Sequence, residues 1–190
     1  TLDSGPVADL MGEAPVITSA GKAFPVEVRY WGDLPAALSP DPFCPAVVSA
    51  VQQALRDENG SILVFLPGEG EIRQVERLLN NLSLPEIVDV MPLYGALPQR
   101  EQDRAIAPAA SGRVKVVLAT AIAETSLTIE GIRVVVDGGR SRRPRFDPQS
   151  GMTRLFTERV SLAEATQRQG RAGRLELVGR RRLHHGHGEQ

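Results

Sequence analysis

The sequence predicts an α/β domain built on a mostly parallel sheet, with an antiparallel β-hairpin inserted toward its C-terminal side. Three observations predict it. Short, largely apolar segments such as Ser61–Leu66 (SILVFL), Val114–Leu118 (VKVVL) and Val134–Val136 read as strands covered on both faces, the pattern of parallel sheets with helices above and below. Stretches with helical spacing separate them, as right-handed crossovers require. After Asp137 the pattern changes: Arg142–Phe146 and Met152–Phe156 flank the turn-rich segment Asp147-Pro-Gln-Ser-Gly151, which reads as a hairpin.

Taken in order, residues 1–22 mix Gly, Pro and Ser with short apolar pieces and read as a linker. Phe24–Trp31 (FPVEVRYW) alternates like a strand, and the Pro-rich run Leu34–Pro45 reads as a loop. Helical spacing runs over Ala46–Asp57 until Gly60 stops it, and the strand Ser61–Leu66 follows. Glu71–Leu82 places Ile72, Val75, Leu78, Leu79 and Leu82 on one helical face, and Ile87–Met91 is the next strand. Gln99–Ala107 is helical before Val114–Leu118, and Val134–Val136 is one more buried strand. Ser161–Gly170 closes the series as a helix, with Ser161 and Glu164 spaced as a capping box. The domain proper is thus expected over 23–174, with the hairpin at about 141–156 and a tail at 175–190.

Hydrophobic residues make up 42% of the 190 residues and aromatics only 4%, so the core is aliphatic. The net charge of -1 announces no polyanion partner by itself. The basic residues are nevertheless clustered: lysine occurs only at Lys22 and Lys115, and arginines crowd into Arg140–Arg145 and Arg168–Arg182. The single cysteine, Cys44, excludes an internal disulfide and a Cys-rich zinc module. No segment reaches the roughly 20 apolar residues needed to span a bilayer. Residues 1–20 lack a basic-then-apolar leader pattern, so the cytoplasm is the expected compartment.

The segment carrying most chemistry is Gln167-Arg-Gln-Gly-Arg-Ala-Gly-Arg174. Gln167, Arg171 and Arg174 stand at i, i+4 and i+7, so a helix would present all three on one face. Gly170 and Gly173 each cost roughly 1 kcal/mol against alanine in an exposed helix, which suggests that another backbone or a ligand comes close. Two guanidiniums and a carboxamide suit a phosphoryl group in transfer: the arginines neutralise charge, and the amide orients a water. A solvated Arg/Gln helix with incidental glycines is the plain alternative.

With these residues the chain resembles superfamily-2 helicases, whose motif VI reads Q-R-x-G-R-x-G-R. Other segments agree in order. Leu118-Ala-Thr-Ala-Ile-Ala-Glu-Thr-Ser-Leu-Thr-Ile-Glu-Gly131 is similar to the DEAH-box motif V, Phe65-Leu-Pro-Gly68 with Glu71-Ile72 to motif IV, and Pro92-Leu-Tyr-Gly-Ala-Leu-Pro98 to the loop that follows. Thr1-Leu2-Asp3 is similar to what ends motif III, so the chain is expected to begin just inside the boundary with a first motor lobe. The wording VVVDGGRSRRPRFDPQSGMTRL resembles the bacterial HrpB branch.

The resemblance implies a RecA-like three-layer sandwich that acts as the second motor lobe of an ATP-dependent helicase. Gln167, Arg171 and Arg174 would be catalytic; Thr128, Glu130, Gly170 and Ile106 would face ATP, with Ile106 where relatives stack an aromatic on the base. Pro67, Gly68, Thr120, Ala121 and Thr125, with Arg142, Arg143 and Arg145 on the hairpin, would line a single nucleic-acid strand, RNA ahead of DNA. Ala121 departs from the usual Asn, which removes one side-chain hydrogen bond to the strand. The chain holds no G-x-x-x-x-G-K-[ST] and no Asp-Glu-x-His, so ATP and Mg2+ would be held mainly by the N-terminal RecA-like lobe, the implied partner. The expectation is negligible ATPase from this chain alone. A non-catalytic nucleic-acid-binding or regulatory domain of the same fold is the alternative.

Three further features are set aside. Gly68-Glu-Gly70 lacks a third glycine, and Glu69 and Glu71 would repel phosphate. His184, His185 and His187 lie in a Gly-rich tail without partner ligands, so no metal is expected. Cys44, placed beside Pro45 in the loop, has no neighbouring base and reads as inert.

Overall fold

Alternation along each central strand splits the aliphatic side chains between two buried layers. Ile62, Val64, Leu66, Val116, Leu118, Val134 and Val136 face one way, while Leu63, Phe65, Val117, Ala119 and Val135 face the other. A strand with no polar side needs cover on both faces, and helices supply it. In the computed structural model of the chain, residues 9–12, 26–29, 41–125, 127–147, 151–172 and 177–178 are described.

The elements are β1 (Val28–Arg29), α1 (Phe43–Asp57), β2 (Ser61–Phe65), α2 (Glu69–Asn80), β3 (Val88–Leu93), α3 (Gln99–Ile106) and β4 (Val114–Ala119), followed by α4 (Ile122–Thr125), β5 (Ile132–Asp137), β6 (Arg140–Asp147), β7 (Met152–Arg159), α5 (Leu162–Gln169) and β8 (Leu177–Val178). The six-stranded sheet runs β1-β8-β5-β2-β4-β3, and each of its neighbouring pairs is parallel. One register shift interrupts it: Ser61 opposes Ile132 but Ile62 opposes Val134. This bulge leaves Arg133 exposed and turns Ile132 to the same face as Val135.

Helices α1 and α2 cover the first face with Val47, Val51, Ile72, Val75 and Leu79. The second is covered by Ala105 of α3, Ala123 of α4 and Ala172 beyond α5. The result is the three-layer sandwich that the sequence predicts, with β6 and β7 standing out of it as an antiparallel hairpin.

Two local readings change. Cys44 and Pro45 are not in a loop: α1 begins at Phe43. Proline is compatible with a first helical turn, where its missing N–H costs no intrahelical bond, and Asp41 Oδ1 accepts the Phe43 N–H at 3.1 Å. Cys44 is buried there. Burial, with help from Glu71 and Asp41 and against Arg140, pushes its thiol up to about 11, so it stays protonated at neutral pH. Within the span read as a tail, Leu177–Val178 pair in parallel with Val135–Val136 and with Val28–Arg29.

Candidate nucleotide and nucleic-acid interface

Parallel strands that end together bring separate segments of sequence side by side at the carboxyl edge of a sheet. Phe65 is opposite Ala119, and the Leu66 N–H donates to Ala119 O at 2.8 Å. Pro67–Gly68 and Thr120–Ala121 therefore emerge next to each other, and the Thr120 N–H reaches back to Leu93 O at 3.3 Å. Ala121 is exposed and Thr120 half-buried, whereas Pro67 and Gly68 are buried. What buries Gly68 is the hairpin: a Cβ there would meet Arg142 Nη1 at 2.6 Å. Arg142 is held in that place by Glu71, Nη2 to Oε1 at 3.0 Å.

The nucleotide candidates gather over the second apolar layer. After α4, residues 127–131 descend to the opposite edge of the sheet, where Gly131 O accepts the Ser61 N–H at 3.3 Å. Leu127 and Ile129 pack inward on the layer, which leaves Thr128 and Glu130 exposed. Ile106, at the end of α3, packs half-buried on the same layer. Ala172 belongs to it too, and the adjacent Arg171 donates through Nη1 to Leu127 O at 3.1 Å. Gln167 is exposed one turn earlier. Arg174 and the side chain of Thr125 lie outside the described residues.

The single-helix-face reading of Gln167, Arg171 and Arg174 needs correction. Helix α5 ends at Gln169, and Gly170 is its cap. The Arg171 and Ala172 N–H groups donate to Arg168 O and Gln169 O, both at 3.0 Å, a three-residue spacing that tightens the chain into a turn. The weak helix propensity of glycine favours a stop at this point. Gly170 has φ -61 and, as nearest neighbours of a Cβ, only its own helix carbonyls. Nothing else in the described chain approaches it closely.

Residues 46–176 match the family described as "Helicase conserved C-terminal domain". The chain belongs to this family, in its DEAH-box branch. This helicase domain is 53% identical over 176 residues to the ATP-dependent RNA helicase HrpB of Escherichia coli, covering 93% of the chain and 21% of that protein. It is 41% identical over 180 residues to the pre-mRNA-splicing factor ATP-dependent RNA helicase prp22 of Schizosaccharomyces pombe, covering 92% of the chain and 15% of that protein. A crystal structure of the E. coli DExH-box NTPase HrpB superposes with a TM-score of 0.81 at 51% identity, over 94% of this chain and 22% of the other. The chain thus spans about a fifth of the length of HrpB.

Among the described residues the most buried charge of the helicase domain is one to which the sequence assigned no role. Arg168 is 1% exposed; its Nη1 donates to Asp137 Oδ1 at 2.9 Å, and its guanidinium lies 4.8 Å from the centre of the Phe65 ring. Asp137 Oδ1 also accepts the Gly139 N–H at 2.8 Å. Motif VI is thereby fastened to the end of β5, where the hairpin begins. The signal available in the sequence was periodicity: Ala165, Arg168 and Ala172 share an inward face opposite Gln167, and an arginine there demands a buried acid.

The arginines of β6 have carboxylate partners. Arg140 pairs with Asp41 just before α1, Arg142 with Glu71 in the first turn of α2, and Arg143 with Glu164 in the first turn of α5. Acids at helix N-termini also suit the helix dipoles, so the hairpin base is bolted to three helix starts. Further out, Arg145 pairs with Glu158 across the ribbon at 3.2 Å, with its side chain 70% exposed. The register gives the ribbon two different faces. Arg142, Pro144, Phe146 and Leu155 share one, and Arg143, Arg145, Arg154 and Phe156 share the other. The sequence suggested positive charge on the hairpin but not this division.

Ser161 and Glu164 form the capping box expected from their spacing, with bonds of 2.7 and 3.2 Å. Burial disfavours ionised Glu164, but the Ser161 N–H and hydroxyl together with Arg143 outweigh it and bring the carboxyl from its ordinary 4.5 down to about 2. A depressed folded pKa means stability present above about 4.5 and lost as pH falls toward 2. An NMR titration of Glu164 should accordingly place its midpoint near 2. A midpoint at or above the ordinary 4.5 would contradict the paired geometry.

Proposed function

We propose that this chain is the second motor lobe of an ATP-dependent RNA helicase, supplying the arginine finger and part of the track for a single strand. The observation that carries the reading is the bond from Arg171 to Leu127 O. It joins motif VI to motif V over the layer on which Ile106, Leu127 and Ile129 pack, with Thr128, Glu130 and Gln167 exposed. In this reading Arg171 and Arg174 neutralise the γ-phosphate, Gln167 orients the attacking water, and Gly170 leaves the turn open to the phosphates. Thr128 and Glu130 face the ribose, and Ile106 packs on the base with little base preference.

The residues present suit the outer half of an ATP site. Among the described residues no three of His, Cys, Asp and Glu converge to hold a metal, and the chain has no phosphate-cradling lysine motif. ATP and Mg2+ are therefore held mainly by an N-terminal RecA-like lobe. Lobe closure brings the arginines onto the phosphate; hydrolysis releases them, and the cycle moves the pair of lobes along the strand. The ATP-dependent RNA helicase relatives favour RNA as that strand. Among the described residues no helix is long and apolar enough to cross a membrane, and the proposed compartment is the cytoplasm.

Thr120, Ala121 and Thr125 form the track at the carboxyl edge, and Pro67 and Gly68, buried beneath Arg142, support it. The arginines divide by exposure. Arg142, pinned over Gly68, shapes motif IV, while Arg145, in an exposed pair of small worth, exchanges Glu158 for a phosphate. Helicases act through strand-dependent ATP hydrolysis, which gives a direct test. Purified chain alone should show no ATPase above background, while the full-length protein should hydrolyse ATP faster when single-stranded RNA is added. Turnover by the pure chain, or a full-length rate indifferent to both RNA and DNA, would overturn the reading in favour of a non-catalytic binding domain.

A further inference from the structure

A buried ammonium is costly unless all its donors are used. Lys115 lies on β4 and is only 4% exposed. Its Nζ donates to Arg104 O at 2.7 Å, Ala105 O at 2.8 Å and Ala107 O at 2.6 Å. The three donors of the ammonium thus meet three carbonyls at the end of α3, where a helix leaves such groups without intrahelical partners and presents the negative end of its dipole. Ala107 leaves the helix with φ -54 and ψ 153, the extended conformation favoured before Pro108. No hydrophobic side chain at position 115 could make these bonds.

The three carbonyls straddle a single residue, Ile106. The ammonium holds the backbone on both sides of it, while its side chain packs on the layer shared with Leu127 and Ile129. We propose that Lys115 is a positioning residue for nucleotide binding: by clamping the last turn of α3 it sets Ile106 against the base of ATP. This rests on the assignment of Ile106 made under Proposed function. Lys115 touches no nucleotide itself, and its effect falls on affinity rather than on the chemical step.

The test uses the full-length enzyme and its RNA-stimulated ATPase. Lys115→Met should raise KM for ATP on the order of fivefold while kcat stays within about twofold, because only binding common to ground and transition states is lost. In an Ile106→Ala background the same substitution should add little, since the group it positions is gone. Inhibition by inorganic tripolyphosphate, which has no base, should be unchanged. A role confined to fold stability predicts instead a lower active fraction, read as lower kcat at constant KM, equally in both backgrounds.

Ala107→Gly loosens the same turn while leaving Lys115 in place, and it decides the matter should Lys115→Met fail to fold. It should raise KM in the same sense; unchanged KM there overturns the proposal. Full additivity with Ile106→Ala, or a matching loss of tripolyphosphate inhibition, also overturns it. A wild-type enzyme that hydrolyses no ATP would remove the helicase reading together with this one, whereas an active wild type with insensitive variants removes this one alone.

Discussion

Replacing Arg171 by alanine in the full-length enzyme lowers kcat for RNA-stimulated ATP hydrolysis by about a thousandfold or more, the scale of a lost arginine finger. Binding of a non-hydrolysable ATP analogue changes much less. The guanidinium has two tasks in the proposed role: Nη1 donates to Leu127 O, and the same planar group meets a phosphate when the lobes close. Arg171→Lys separates them. It keeps the charge but loses the planar fork that serves a carbonyl and an anion together, so most of the activity should still disappear. Arg174→Ala should behave like Arg171→Ala. Steady-state kinetics with a parallel equilibrium-binding measurement checks this result. A drop of less than tenfold in kcat, or a loss confined to binding, would give Arg171 a structural role only.

Arg168→Met should destabilise the domain by about 3–5 kcal/mol, the cost of leaving a buried charge without its partner. Asp137 is the charge left behind, itself 5% exposed, and it still accepts the Gly139 N–H. Asp137→Leu added to Arg168→Met removes the stranded carboxylate and should restore much of the loss, because apolar replacement of both members of a buried pair is often neutral. Recovery stays incomplete where the Gly139 bond and the ring contact with Phe65 are not replaced. Urea denaturation midpoints of the two variants and the wild type decide it. A shift under about 1 kcal/mol for Arg168→Met would mean that water or another cation takes over the guanidinium's role toward Asp137.

The two arginines three positions apart show what a sequence pattern resolves and what it misses. Arg171 stood out because its spacing from Gln167 and Arg174 has a chemical use. Arg168, inside the same run, has the opposite environment, and only packing against Phe65 and Asp137 reveals it. The helix boundary between them was also hidden. Periodicity continues smoothly through Gly170, while the backbone changes to a three-residue hydrogen-bond spacing after Gln169. Pro45 misled for a related reason: a proline breaks a helix interior but fits a first turn, and the sequence alone does not say which of the two a given position is.

The hairpin depended on long-range geometry, and Lys115 on the chain folding back against the helix before it. Arg140, Arg142 and Arg143 looked alike as a basic run, yet they reach acids separated from them in sequence, Asp41, Glu71 and Glu164. Lys115 lies within an otherwise apolar strand, and its three carbonyl partners come from the end of the preceding helix.

By itself the sequence determined the layered α/β architecture, the parallel strands, the hairpin and the family motifs, because apolar periodicity and short functional segments are local properties. Which charges are buried, which arginines are tied to carboxylates, where α5 stops and which residue clamps Ile106 were decided by tertiary structure alone. The physical reason is that an ionic group's environment is set by its neighbours in space, and parallel topology draws those neighbours from distant parts of the chain.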